Sequence, residues 1–225
     1  MGKIDEKTMN WQLNMLPRAT KRALQFLSQQ KWLKTSHWYL AGGTALALQV
    51  GHRQSVDLDF FTQDKEFSIN ELLKHFPEKI WTSDIVREGT IYGRLLGAKV
   101  SFIAYPFFYS QDESLRYGTI NVLSARDIAV MKIIAISQRG KKRDFIDLYW
   151  YAKNRESLTD IVKRLPKQYP TVAHDYHHIW KSLMYFKDAE DDPMPKVSFN
   201  VQWDGVRSFF IREVPKMMKG FLMLQ

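Results

Sequence analysis

Residues Tyr39 to Phe61 read YLAGGTALALQVGHRQSVDLDFF, and the fold turns on how this stretch is parsed. His37 to Leu40 has the composition of a short strand, and it runs into Ala41-Gly42-Gly43-Thr44. Ala45 to Val50 is a short apolar helix, closed by Gly51 in the position after the helix end that favours glycine. Val56 to Phe61 is a second strand, in which acidic and apolar residues at first alternate. Three chemical features meet here. Glycines between a strand and a helix let a ligand approach the backbone, and the free N–H groups of the helix start attract phosphate. Thr44 is placed to cap that helix or to donate to a phosphate oxygen. Asp57 and Asp59, one residue apart on a strand, present both carboxylates on one face. Two adjacent carboxylates repel unless a cation lies between them, and an oxygen-only pair suits Mg²⁺ or Mn²⁺ carrying a nucleoside triphosphate. The short connection brings cradle and carboxylates to one sheet edge, with His52, Arg53 and Ser55 within reach of the phosphates.

Working outward, apolar residues recur at helical spacing from Pro17 to Leu33, which predicts one amphipathic helix. Ile69 to His75 is a further helix. From Trp81 to Tyr105 the β-rich segments Ile85-Val86, Ile91-Tyr92 and Val100 to Tyr105, with Gly89, Gly93 and Gly97 between or within them, predict an antiparallel meander. A short strand follows at Ile120 to Val122. The chain then turns helical. Ser124 is an N-cap for a helix from Ala125 to about Gln138, ended by Gly140, and Arg143 to Lys153 begins another. Ser157 to Leu165, Val172 to Phe186 and Trp203 to Lys219 are also predicted helical, with Asp191 to Pro195 a loop. The architecture is thus α/β (α+β): an α/β part over residues 1–123 and a helical part over residues 124–225.

Composition narrows the class. The 225 residues are 45% hydrophobic and 14% aromatic, enough for a real core, and the absence of cysteine excludes disulfides, thiol nucleophiles and cysteine-bound metals. No apolar run approaches the roughly 20 residues that span a bilayer. Met1 to Asn10 is polar, without the apolar run of a signal peptide, so a cytoplasmic setting is expected. The net charge of +9 is uneven. Residues 1–36 carry seven basic and two acidic groups and 124–187 thirteen and six, whereas 37–123 carry eight and ten. Basic arms around a slightly acidic middle favour a polyanion such as RNA or DNA.

The blocks LAGGTALALQ, GHRQSVDLDFF and LSARDIAVMKIIAISQRGKKRDFIDLYW resemble the nucleotidyltransferase-like toxins of the AbiEii/AbiGii type, from bacterial toxin–antitoxin and phage-defence systems. The resemblance spans roughly residues 37–153. It implies a minimal polymerase-β-type nucleotidyltransferase fold with a mixed sheet, in which the Gly42-Gly43-Thr44 turn and the Asp57/Asp59 strand form the first active-site motif. It also implies that a lysine and a further aspartate complete the site, mapping onto Lys132 and Asp144. The residues agree: Lys132 interrupts an apolar helix and needs a partner or a path to solvent. Gln138 to Arg143 is a basic run suited to triphosphate or RNA backbone. Asp147, three residues after Asp144, reads as a helix-dipole or ion-pair residue. One departure stands out. Where such enzymes carry a third carboxylate on a neighbouring strand, this chain has Ser101, and no acidic residue lies between Glu88 and Asp112.

The expected function is therefore metal-dependent transfer of a nucleoside monophosphate from an NTP to an acceptor hydroxyl. Asp57 and Asp59 would hold Mg²⁺ (or Mn²⁺), and Gly42, Gly43, Thr44, Arg53 and Ser55 would bind the nucleotide. Lys132 and Arg53 would neutralise the leaving pyrophosphate, and Asp144 would orient or deprotonate the acceptor. By the resemblance the acceptor is RNA, the 3′ end of tRNA among the candidates, and an antitoxin protein restrains the activity. Two other readings remain: transfer to a protein hydroxyl, and a degenerate core that only binds nucleotide, nucleic acid or protein. Arg94 is a further phosphate contact or a plain surface arginine. His174, His177 and His178 have a spacing compatible with a transition metal. The aromatic set Trp180, Tyr185, Phe186, Trp203, Phe209 and Phe210 is assigned mainly to the core, and the apolar tail from Met217 to Leu224 to local packing.

Overall fold

A computed structural model describes residues 9–222, with side chains described to residue 220. A 3₁₀ turn at Leu13–Met15 leads into α1 (Arg18–Leu27) and α2 (Lys31–Thr35). Then follow β1 (Tyr39–Ala41), α3 (Gly42–Val50), β2 (Leu58–Thr62), α4 (Ile69–Leu73), β3 (Trp81–Arg87), β4 (Thr90–Leu95) and β5 (Ala98–Ala104). β6 (Leu115–Tyr117) and β7 (Ile120–Val122) complete the strands. The helical part comprises α5 (Ala125–Arg139), α6 (Lys142–Asn154), α7 (Leu158–Lys163), α8 (Leu165–Gln168), α9 (Tyr176–Leu183), α10 (Lys187–Glu190) and α11 (Trp203–Leu222).

All strands join one seven-stranded mixed sheet in the order β3-β4-β5-β2-β1-β7-β6. The β3–β4–β5 meander is antiparallel as expected, while β2 runs parallel to β5 and β1 parallel to β7. Strand alternation separates two faces. Leu58 and Phe60 of β2, Val100 and Phe102 of β5, and Ile91 and Leu95 of β4 are buried on one face. Phe102 is their hub, stacked on Phe60 with ring centroids 5.0 Å apart and meeting Trp38 edge-on at 5.1 Å. The opposite face of β2, β5 and β4 carries Asp59, Ser101 and Tyr92, and looks into a cavity. α3 packs on β1 and β2 and also against α5 and α6, so the helical part closes over the sheet and one hydrophobic cluster runs through both.

The predicted helix ends hold best where a cap is encoded. Ser124 accepts the Asp127 N–H, Gly140 ends α5 with φ +53°, and Gly51 ends α3 with φ +65°. The predicted helix from Pro17 to Leu33 is in fact two. α1 stops at Leu27 because the β6–β7 turn docks there: Thr119 donates its N–H to the Ser28 carbonyl at 2.9 Å and its hydroxyl to the Leu27 carbonyl at 3.1 Å. β6 itself was not expected; it pairs with β7, and its Tyr117 meets Trp11 edge-on. The predicted helix over Val172 to Phe186 begins only at Tyr176, where the Asp175 side chain caps the His178 N–H. The predicted helix from Ser157 to Leu165 breaks at Arg164 into α7 and α8. Among the aromatics assigned to the core, Trp180, Phe209 and Phe210 are buried, whereas Tyr185 is exposed. Met217 is buried; Met223 and Leu224 lie outside the described residues.

Candidate active site

The turn from β1 into α3 is built for close approach. Gly42 has φ +70°, and a Cβ there would stand 3.0 Å from Asp59 Oδ2. A Cβ on Gly43 would stand 2.2 Å from Arg53 Nη2, so the space a side chain would fill belongs to that guanidinium. Thr44 corrects the sequence expectation. Its hydroxyl donates to the Asp57 carbonyl and pairs with the Ser55 hydroxyl at 2.9 Å, and Thr44 is buried. The two hydroxyls expected to bind phosphate are thus spent on each other, fixing how the chain enters β2. Ser55 still forms part of the cavity wall.

The cavity has a volume of about 470 Å³ and both aspartates line it. Asp57 stands one residue before β2 rather than inside it. Its Oδ2 meets Arg143 Nη1 at 3.1 Å, while its Oδ1 is buried without a hydrogen-bond partner among the described residues. Asp59 Oδ1 accepts the Ser101 hydroxyl at 2.7 Å. Burial raises the Asp59 carboxyl above the ordinary aspartate range; the Ser101 hydrogen bond opposes this and the Asp57 charge adds to it. A buried carboxylate oxygen lacking a donor, beside a second carboxylate that resists ionisation, is a site short of positive charge. That donor set fits a hard divalent cation.

Behind this pair lies a buried network that the sequence reading divided incorrectly. Lys132 Nζ bridges Asp144 Oδ1 at 2.7 Å and Asp147 Oδ2 at 2.6 Å. Asp147 also accepts Arg53 Nε at 2.5 Å and Nη2 at 2.8 Å, and His52 Nε2 stands 2.6 Å from its Oδ1. Asp144 is held from the other side by Arg139 Nε at 3.0 Å. Burial pushes both aspartates upward, but their cation partners outweigh it. Lys132 and Arg139 bring Asp144 below its ordinary value, and Arg53 and Lys132 bring Asp147 well below. His52 is lowered, chiefly by burial, and is neutral at pH 7.

This changes three assigned roles. Asp144, fully buried and bonded by two cations, is no free base for an acceptor hydroxyl. Arg53 is clamped on Asp147 and reaches the cavity only along its wall, and Lys132 is shared between two carboxylates. Both shape the site more than they offer a free charge. Besides the exposed Lys99 of β5, the cavity is lined by Arg139 and Arg143, about half-exposed at the junction of α5 and α6. Neither was singled out beyond belonging to a basic run. Asp147 had one signal: three residues after Asp144, it shares that residue's helix face. Of the three histidines, His178 Nε2 is 3.0 Å from the Ser137 carbonyl and His174 Nε2 is 3.2 Å from that of Tyr169. They do not converge, and no metal-ligating cluster of three or more His, Asp or Glu occurs among the described residues.

A strand–glycine turn–helix beside paired carboxylates at the start of the next strand, on a mixed sheet closed by helices, defines a protein of the nucleotidyltransferase fold. Solved structures share it. A candidate nucleotidyltransferase of H. pylori aligns with a TM-score of 0.53 over 91% of this chain and 98% of its own at 16% identity. MenT4, a nucleotidyltransferase toxin of Mycobacterium tuberculosis H37Rv, aligns with a TM-score of 0.53 over 90% of this chain and 88% of its own at 15% identity. An uncharacterised protein of Aquifex aeolicus (strain VF5), aq_aa25, is 35% identical over 190 residues, 81% of this chain and 89% of that protein. The family model described as nucleotidyl transferase AbiEii toxin, type IV TA system, matches residues 25–94 and 96–221. The chain belongs to the AbiEii nucleotidyltransferase toxin family. No described helix is long and apolar enough to cross a membrane.

Proposed function

We propose that this protein transfers a nucleoside monophosphate from an NTP to the 3′-hydroxyl of RNA, with tRNA the favoured acceptor. It does so in the cytoplasm, as a toxin restrained by an antitoxin protein. The observation that carries the reading is the buried Asp57 Oδ1, without a hydrogen-bond partner among the described residues, beside Asp59 and inside a cavity that opens next to the α3 N-terminus. Asp57 and Asp59 would hold Mg²⁺ or Mn²⁺, the remaining ligands coming from phosphate and water, as is usual for Mg²⁺. When bound, the metal neutralises charge on the reacting phosphate.

The chain's own residues supply the rest. The Gly42-Gly43 turn admits the triphosphate to the first N–H groups of α3. Arg143, half-exposed and held on Asp57 by a single contact, would swing to the phosphates and neutralise their charge, with Arg139 beside it. The Lys132–Asp147–Arg53 cluster keeps the floor rigid and the turn in register. Phosphoryl transfer asks chiefly for position and charge stabilisation, so Ser101 in place of a strand carboxylate is compatible with activity, the acceptor proton passing to water. Ser101 and the Arg143 contact on Asp57 also favour a second reading, a nucleotide-binding module without turnover.

The test is transfer of label from each of four α-³²P NTPs to total bacterial RNA with Mg²⁺, beside an Asp57→Ala/Asp59→Ala protein. Label on RNA from the wild type alone supports the proposal and names the nucleotide. Label on protein moves the acceptor to a protein hydroxyl. No label from folded protein that still binds NTP leaves the binding module.

A further inference from the structure

The cavity runs well past the carboxylates, and none of the roles above uses its far half. The sheet register defines that half. Asp59 pairs with Ser101 across β2 and β5, and Ser101 pairs with Tyr92 across β5 and β4. Directly paired residues share a face, so Asp59, Ser101 and Tyr92 form one row, with Tyr92 two strand spacings, about 10 Å, from Asp59. The next pair on the same face is Arg94 with Lys99, about 7 Å further along the strands. Ile85 and Ile103 flank Tyr92 in the wall, and Ile134 of α5 lines the cavity with them. Tyr92 and Ile85 are 42% and 45% exposed, a large apolar and aromatic surface left open inside a cleft.

The direction of the reaction assigns this surface. Ala41 pairs with Asp59 on the side away from Ser101 and leads directly into Gly42 and α3. A triphosphate held at the α3 N-terminus therefore sends its pyrophosphate toward β1. Displacement at phosphorus is in line, so the attacking hydroxyl arrives from the opposite side, over Ser101. We propose that Tyr92 is the platform on which the 3′-terminal nucleobase of the acceptor RNA stacks, with Lys99 and Arg94 receiving the phosphodiester that precedes it. This rests on the nucleotidyl-transfer reading and adds the acceptor site to it. An aromatic face between branched apolar side chains, with two cations one residue pair away, is the chemistry that holds an unpaired base and its backbone. Among the described residues Arg94 is held by an exposed 3.5 Å contact to Asp84, which a phosphate can displace. In the reaction the RNA 3′ oxygen bonds to the α-phosphorus. The bond to the bridging oxygen breaks, pyrophosphate leaves with that electron pair, and the hydroxyl proton passes to water.

The experiment titrates the full chain, with Mg²⁺, into a short RNA whose 3′-terminal base is 2-aminopurine, and measures its fluorescence. Wild type and Tyr92→Phe quench the probe. Tyr92→Ala, checked for an unchanged melting temperature, loses the quenching and binds the RNA at least about tenfold more weakly. Affinity for an α,β-methylene NTP analogue, which cannot transfer its nucleotide, stays the same in all three, and the saturating analogue does not displace the probe. Unchanged quenching in Tyr92→Ala overturns the proposal. So does a tenfold loss of affinity for the analogue in Tyr92→Ala or displacement of the probe by the analogue, either of which hands the platform to the nucleotide's own base. If the wild type binds no RNA, the acceptor site is refuted. NTP binding that still requires Asp57 and Asp59 would then leave the nucleotide site standing, so the two failures are separable.

Discussion

Asp147→Asn is the substitution that most directly probes how the site is held. The side chain keeps its shape and loses its charge. In the wild type this carboxylate, fully buried, faces Arg53 at 2.5 Å, Lys132 at 2.6 Å and His52 at 2.6 Å. In the variant the buried Arg53, which also donates to the Gln54 carbonyl, lacks a counter-ion in contact, and Lys132 keeps Asp144 alone. Breaking a buried pair from one side costs about 3–5 kcal/mol, because the other charge stays buried. At about 2–4 °C per kcal/mol for a chain of this size, the melting temperature falls by about 6–20 °C. Urea unfolding of Asp147→Asn, Arg53→Gln and the double variant measures it, with a coupling between the two sites of about 1 kcal/mol or more. A single-variant loss below about 0.5 kcal/mol, typical of a surface change, would refute the reasoning.

Acid should weaken the fold in two stages. Below about pH 6.5 the unfolded chain protonates His52 while the folded chain, whose His52 value is lowered by burial, resists, so stability falls. Asp144 and Asp147, depressed in the folded state, contribute stability above their unfolded value of about 3.9 and lose it as pH falls through their folded values. Urea midpoints from pH 8 to 3 test this; His52→Gln should flatten only the upper stage, and a flat wild-type curve between pH 7 and 5 contradicts it. Asp59→Asn should separate stability from function. Burial raises that carboxyl, so its ionisation at pH 7 opposes folding; the variant should melt at or above the wild type and lose at least about a hundredfold in transfer, and a clear drop in melting temperature argues against the assignment. Gly43→Ala should cost about 1–3 kcal/mol by driving Arg53 from its place, and calorimetry showing no loss would mean the guanidinium moves freely.

The local chemistry was legible because short-range patterns encode it. The strand, glycine turn, helix and Asp57/Asp59 strand follow one another within 23 residues, Tyr39 to Phe61, and Ser124, Gly140 and Gly51 mark helix ends through backbone chemistry of their own. β-rich segments with glycines between or within them exposed the meander. What stayed hidden depends on residues far apart in the chain. The break after α1 is made by Thr119, some 90 positions from the carbonyls it binds. Whether Arg53 serves phosphate or a carboxylate depends on Asp147, 94 positions away, and Thr44 is drawn inward by the carbonyl of Asp57. A charged residue's role is set by which opposite charge shares its burial, because desolvation makes that pairing decisive. Sequence supplied the residue types and the order of the elements. Only the closing of α5 and α6 over the sheet decided which charges became the scaffold and which, at Asp57, Asp59, Arg139 and Arg143, were left facing the cavity.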